Sequence, residues 1–383
     1  MKTKMNHGHY PLMEESPTNV VLFRPHITPK MKSRVMLQME SRWIGQGPEV
    51  GKFEEEFSRR FCAELPTVAV NSGTSALHLA YILAGIIPGD EVIVPLFTCT
   101  ATNIPVLYQG ATPVFADVEV DSLNLDVAHV ERLITPLTRA IVCVHYGGIP
   151  CDLKGLRAIA NAAGIPIIED AAQALGASWE GRSVGSISDF TTFSFQAIKH
   201  ITTGDGGMLA LRDPELVEKA RRLRWFGIDR IGKQKGAWDH KVHEVGYKYQ
   251  MTDIAAAMGR AALEDWEETI GLRRKLLQAY REGLAGLDGI KLLGTELSDQ
   301  CNAAWICTVL VERREDLKCA LRNHGIESDQ VHYRNDRYEI FAKYTADYPH
   351  MDFLESRYLV LPLHNGMRVA DVERVIAVIR AGW

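Results

Sequence analysis

The chain has no apolar run that approaches the roughly 20 residues of a membrane span, so no spanning helix is expected among its 383 residues. Its seven cysteines, Cys62, Cys99, Cys143, Cys151, Cys301, Cys307 and Cys319, form no C-x-x-C pair and no Cys/His ligand spacing. That pattern points away from a zinc site and a disulfide framework and toward reduced thiols, with no metal expected. A net charge of −5 gives no basic footprint for nucleic acid, which is not an expected partner. The basic runs Arg221-Arg222-Leu223-Arg224 and Arg273-Arg274-Lys275 read as solvated helix faces. There is no internal repeat and no low-complexity tract. After Met1-Lys2-Thr3-Lys4 comes polar, proline-containing sequence without an apolar h-region, so an unexported, cytoplasmic protein is expected.

What is present is enough apolar residue for a large core. Hydrophobic residues make up 46% of the chain, and its length suits two domains better than one. Short β-branched runs alternate with helical patterns from about residue 65 to about 212, the mark of a mostly parallel sheet covered on both faces. The strands read as Val68–Val70, Glu91–Val94, Thr112–Phe115, Ala140–Val144, Pro166–Glu169, Phe190–Phe195 and Gly207–Leu211. One long helical pattern, Asp253–Leu284, links to a second lobe in which Trp305–Val311 reads as a strand accompanied by two helices. The expected division is an N-terminal segment 1–30, a large domain 31–265 and a small α+β domain 266–383.

Two residues carry the chemistry. Asp170 closes the run Ile165-Pro166-Ile167-Ile168-Glu169-Asp170, and in open parallel sheets ligands gather outside the carboxyl ends of strands. Taken alone, Asp-Ala-Ala is more simply an aspartate capping a following helix. Lys199, however, sits in Ser194-Phe195-Gln196-Ala197-Ile198-Lys199-His200, after the β-rich run Phe190-Thr191-Thr192-Phe193, and precedes Thr202-Thr203-Gly204-Asp205-Gly206-Gly207. An amine and a carboxylate so placed suit pyridoxal phosphate (PLP): the amine condenses with its aldehyde, and the carboxylate keeps its pyridine nitrogen protonated. Ser72-Gly73-Thr74-Ser75, between a strand and the helix expected over Ala76–Ala84, offers backbone N–H groups and a helix dipole to an anion. The same residues would serve as an ordinary helix cap, and the two readings are compatible.

The ordered blocks resemble the DegT/DnrJ/EryC1/StrS family of sugar aminotransferases over nearly the whole chain. They are Trp43-Ile44-Gly45-Gln46-Gly47-Pro48-Glu49-Val50 with Phe53-Glu54, Asn71–Leu77, the Asp170 and Lys199 segments, Gly246-Tyr247-Lys248-Tyr249, Val331-His332-Tyr333 and Leu361-Pro362-Leu363-His364. The resemblance implies the fold type I architecture of PLP enzymes: a large domain with a seven-stranded, mostly parallel sheet, and a smaller C-terminal α+β domain. It implies PLP on Lys199, with pyridoxamine phosphate as its intermediate form, Asp170 at the pyridine nitrogen and Gln173 at the phenolic oxygen. Gly73, Thr74, Ser75 and Ser194 would hold the phosphate. Lys248 would reach the phosphate of a neighbouring subunit, as part of a homodimer with shared active sites. Cys99 falls where many relatives place a ring that stacks on the cofactor, and plain core packing explains it equally well. His332, Tyr333 and His364 are not carried as catalytic. The implied reaction moves an amino group from an amino acid, L-glutamate by resemblance, to a nucleotide-linked keto sugar for lipopolysaccharide or natural-product sugars. Two alternatives stay open: a pyridoxamine-phosphate-dependent sugar dehydratase, which carries histidine in place of the lysine and for which His200 is the neighbouring residue, and a non-catalytic ligand-binding relative.

Overall fold

The computed structural model describes residues 16, 18–230, 232, 236, 242, 244–294 and 299–383. Of the expected N-terminal segment, residues 1–15 and 17 lie outside the described residues. The central sheet has seven strands: β1 (Thr67–Val70), β2 (Glu91–Pro95), β3 (Thr112–Ala116), β4 (Thr138–Val144), β5 (Ile167–Asp170), β6 (Phe190–Ser194) and β7 (Gly207–Leu211). Their spatial order is β1-β7-β6-β5-β4-β2-β3. Only β7 runs against its neighbours: it pairs antiparallel with β1 and with β6, whereas β6-β5-β4-β2-β3 are parallel. β1, β5 and β7 are buried along their whole length, as strands covered on both faces require.

One covering layer shows how the pattern produces the packing. The helix Pro48–Phe61 buries Val50, Phe53, Phe57 and Phe61, spaced for a single face. Phe57 meets Phe193 of β6 at 5.0 Å and Phe195 at 5.5 Å between ring centroids. This helix has no side-chain cap of its own. Instead, buried Asp253 accepts the N–H groups of Gly47 at 2.7 Å and of Glu49 and Val50 at 3.2 Å.

The expected helix Asp253–Leu284 is two helices, Asp253–Glu264 and Trp266–Leu284, broken at Asp265 with φ −98° and ψ 13°. Apolar positions run through the break, so periodicity alone does not reveal it. The second lobe is built on an antiparallel sheet of β8 (Ile290–Leu292), β9 (Cys307–Val311) and β10 (Tyr358–Leu361), with β9 in the middle. The strand expected from Trp305 thus begins at Cys307, and three α-helices, Arg314–Asn323, Pro349–Leu354 and Val369–Ala381, replace the expected two. Val20, from the N-terminal segment, packs in this lobe's core and bridges to Ile326.

The basic runs are not solvated throughout. Arg224 is buried against Glu54, accepting no water-facing role, and it also donates to the Ala69 carbonyl at 2.7 Å. Arg273 is buried among carbonyls, as described below. Among the described residues no helix is long and apolar enough to cross a membrane.

Candidate active site

The site lies at the carboxyl ends of β5 and β6, where the start of the helix Gly73–Leu83 meets them. Asp170, the last residue of β5, is buried, and both of its oxygens have donors. Thr102 Oγ1 donates to Oδ2 at 2.7 Å, and the Ala172 N–H donates to Oδ1 at 3.0 Å. Asp170 does not cap a helix; its side chain closes a local turn, and its orientation is set by Thr102. Thr102 comes from the helix Thr100–Tyr108 and is itself within 2.9 Å of the Thr98 hydroxyl.

Lys199 sits in the loop after β6, its N–H bonded to the Gln196 carbonyl at 2.9 Å. Burial pulls its amine down to about 8, against the opposing influence of the Asp170 carboxylate and of Cys99. Among the described residues the amine has no hydrogen-bond acceptor and no ion-pair partner. Its Nζ lies 4.0 Å from the ring centroid of Trp305.

Gln173 is buried, and its amide orientation follows from its partners. The Gly147 N–H donates to Oε1 at 2.7 Å, which turns Nε2 toward His332 Nε2 at 3.2 Å. An amide nitrogen only donates, so His332 Nε2 is the acceptor and its ring is neutral with the proton on Nδ1. Burial, with the Lys199 charge behind it, pushes His332 down to about 3. One amide hydrogen of Gln173 remains for another acceptor.

At the helix start, the Ser72 hydroxyl accepts the Ser75 N–H at 3.0 Å. The Ser75 hydroxyl is engaged within the cap, donating to Asn71 Oδ1 at 2.7 Å. Gly73 is needed for close approach: a Cβ there would stand 3.0 Å from Cβ of Ser194 and 3.3 Å from its Oγ. Gly207 is tighter still, since a Cβ would meet the Ser72 carbonyl oxygen at 2.4 Å. The structure therefore brings Ser194 against Gly73 at the start of the helix that carries Thr74 and Ser75, and the Ser194 hydroxyl accepts the Gln196 N–H at 3.3 Å.

Cys99 occupies the N-cap position of the helix Thr100–Tyr108, is exposed, and lies close enough to act on the Lys199 charge. Lys248 is exposed, and its backbone carbonyl accepts from Asn71 Nδ2 at 3.2 Å. Its ammonium lies 3.8 Å from the Trp225 ring centroid. Of the weaker candidates, His332 joins the site. His364 bonds instead to the Val21 carbonyl at 3.1 Å, and Tyr333 is half exposed. Three residues were not singled out beforehand for this role: Thr102, Trp305 and the carbonyl-bound Arg273 behind Trp305. A threonine pair at i, i+4, Thr98 and Thr102, was the available signal for the first; the other two are brought in only by the tertiary fold.

The sequence profile described as the DegT/DnrJ/EryC1/StrS aminotransferase family matches residues 25–380. The GDP-perosamine synthase of Caulobacter vibrioides is 37% identical over 362 residues, 92% of this chain and 95% of its own. Among solved structures, the sugar aminotransferase CalS13 of Micromonospora echinospora superposes with a TM-score of 0.90 at 32% identity, covering 95% of this chain and 100% of its own. The protein Spr1654 of Streptococcus pneumoniae, solved in a PLP form, superposes with a TM-score of 0.88 at 28% identity, covering 95% and 98%.

Proposed function

Because this chain belongs to the DegT/DnrJ/EryC1/StrS aminotransferase family, we propose that it uses PLP to move an amino group from an amino acid, L-glutamate first among candidates, to a nucleotide-linked keto sugar. The observation that carries this reading is the Lys199 amine, partly buried, without a hydrogen-bond partner among the described residues, and within the electrostatic reach of a carboxylate held by two donors. A structural lysine would be paired or solvated. Bound PLP supplies an aldehyde carbon that condenses with amines and a ring that draws electrons from the donor's α-carbon.

The residues fit that group. Lys199 would hold the aldehyde carbon and, when displaced, take the α-proton on Nζ, for which a proton affinity lowered by burial is suited. Asp170 would hold the proton of the pyridine nitrogen, its oxygens oriented by Thr102 and Ala172. The backbone N–H groups at Gly73 and Thr74 and the hydroxyls of Thr74 and Ser194 would receive the phosphate, where the helix dipole favours an anion, with Ser75 holding the cap through Ser72 and Asn71. The remaining amide hydrogen of Gln173 suits the phenolic oxygen. Cys99 would border the ring and leave more of its face uncovered than an aromatic residue does. Lys248, exposed and tied toward the Ser72 cap by the Asn71 amide on its carbonyl, suits a shared site in a homodimer, where it would serve the partner's phosphate. The large domain would span 31–265 and the small one 266–383, in a cytoplasmic enzyme.

The dehydratase alternative requires a histidine in the place of the lysine. His200 is buried with Nε2 on the Ala303 carbonyl at 2.7 Å, which counts against its serving that role. The test is absorbance of the purified protein, bleaching by glutamate, and borohydride trapping followed by peptide mapping. Label on Lys199 and aminated product from a panel of nucleotide-linked keto sugars are expected; label on another lysine, or a dehydrated sugar as main product, refutes the reading.

A further inference from the structure

We propose that Trp305 is a positioning residue for this reaction: its indole face is the berth of the Lys199 amine whenever that amine is free, and it retains the proton that the amine has taken from the donor. The inference rests on the transaminase reading above. Nζ lies 4.0 Å from the Trp305 ring centroid, well inside the range at which an ammonium is held by an aromatic face. No acceptor or carboxylate among the described residues competes for it. The titratable groups around it are Asp170 from β5, Cys99 from the adjoining helix, and the histidines His200 and His332. Asp170 and Cys99 favour the charge from beyond ion-pair distance, while both histidines are kept neutral by burial.

The ring is held on every side. Its N–H donates at 3.2 Å to the carbonyl of Ile198, the residue before Lys199, so berth and amine share one loop. The Trp305 backbone N–H donates to the Gly147 carbonyl at 3.1 Å, and Arg273 Nη1 donates to the Trp305 carbonyl at 3.1 Å. His332 stacks at 6.1 Å with 15° between planes, and Phe23 at 5.8 Å with 28°. Trp305 itself is 1% exposed. A ring so fixed has little freedom to lose when the amine arrives.

The chemical advantage lies in what an indole face cannot do. In the proton transfer the Nζ lone pair forms a new N–H bond, the donor's Cα–H bond breaks, and its electron pair stays on the substrate side. A carboxylate at contact distance would compete for that proton, and water would exchange it. An aromatic face stabilises the ammonium electrostatically but offers no lone pair, so the proton stays on Nζ until it is delivered.

The test uses the full chain loaded with pyridoxamine phosphate, which leaves Lys199 free, and follows acylation of Lys199 by acetic anhydride against pH with peptide mass mapping. Trp305→Leu removes the face and favours the neutral amine, so labelling at pH 7 is expected to rise about eightfold, while Trp305→Phe stays within about threefold of the native chain. In turnover, Trp305→Leu should lower kcat with KM for both substrates unchanged. Equal labelling of Lys199 in all three proteins, or equal changes in the Leu and Phe variants, overturns the assignment. Should the Leu variant fail to fold, fluorinated tryptophans inserted at position 305 alone keep the size and weaken the face. Labelling should then climb with each fluorine, and a flat response is equally fatal. A native chain that aminates no sugar would sink the proposed function, while the labelling comparison would still decide the role of Trp305.

Discussion

Replacing Thr102 by valine keeps the shape of a side chain that is 0% exposed and removes only its hydroxyl. The lost contacts are the 2.7 Å hydrogen bond to Asp170 Oδ2 and the 2.9 Å hydrogen bond with the Thr98 hydroxyl, of which the first bears on the carboxylate. Hydrogen bonds to charged groups contribute about 1.5–3 kcal/mol, and no water can replace this one without entering a packed helix start. At about 1.4 kcal/mol per factor of ten, that corresponds to about 10- to 150-fold in an equilibrium that depends on the carboxylate being held. With Oδ2 released, Asp170 is held by the Ala172 N–H alone and can turn about its Cβ–Cγ bond. The expected outcome is a PLP dissociation constant raised by at least about tenfold, with kcat lowered alongside it. Absorbance titration of cofactor-free protein measures the first and steady-state amination the second. Thr102→Ser restores the hydroxyl and should return both to within about threefold. If Thr102→Val binds PLP and turns over like the native chain, Thr102 does not orient Asp170 and the account of the carboxylate is wrong.

Asp253→Ala should destabilise the fold by about 3 kcal/mol in urea, because it strips the N–H groups of Gly47, Glu49 and Val50 of their acceptor at an otherwise uncapped helix start; a loss under about 0.5 kcal/mol would show that water replaces it. Lys199→Met should stabilise the cofactor-free protein by about 3 kcal/mol at pH 7, since burial holds the native amine at about 8 and charging it there costs stability. The sign follows from proton binding: the unfolded chain binds more protons between about 8 and 10.5, so native stability rises with pH across that window and the advantage of methionine should vanish above it. Lys248→Ala should weaken PLP retention more than it changes the melting temperature, and a monomer with full activity and full retention would refute a shared site.

Much of the fold was legible because the sheet interior is nearly continuous apolar sequence. Each of the seven expected strands is present, with ends displaced by no more than two residues. What was not legible required partners distant in sequence. Arg224 looks like one more charge on an exposed helix until Glu54, 170 positions earlier, meets it beneath the sheet. Arg273 reads as solvent-facing because carbonyls leave no trace in a sequence; its donors end on Ala304, Trp305 and Leu363. Lys199 and Asp170 were found from their strand ends, and the structure brings them together. Trp305, expected as the first residue of a strand, stands two residues before it, outside the β9 ladder, where its indole N–H reaches the Ile198 carbonyl and its face lies against the Lys199 amine.

The pleat of β5 explains how two adjacent carboxylates serve different ends. Successive side chains of a strand point to opposite faces, so Glu169 and Asp170 cannot share a proton or a donor. Glu169 is buried with His145 Nε2 at 2.8 Å and the Thr191 hydroxyl at 3.4 Å. The other ring nitrogen of His145 accepts the Cys151 N–H at 3.0 Å, so Nε2 carries the hydrogen that it donates to Glu169, a pairing that raises the proton affinity of the imidazole against its burial. That face is therefore closed, with each donor matched to an acceptor. Asp170, on the opposite face, has its own donors in Thr102 and Ala172. On the cofactor side the group left to change its proton is Lys199, because Asp170 is already oriented and His332 is locked as an acceptor by Gln173. A transaminase needs one mobile proton between donor and acceptor carbons, and under the proposed reading Lys199 is its carrier among the described residues.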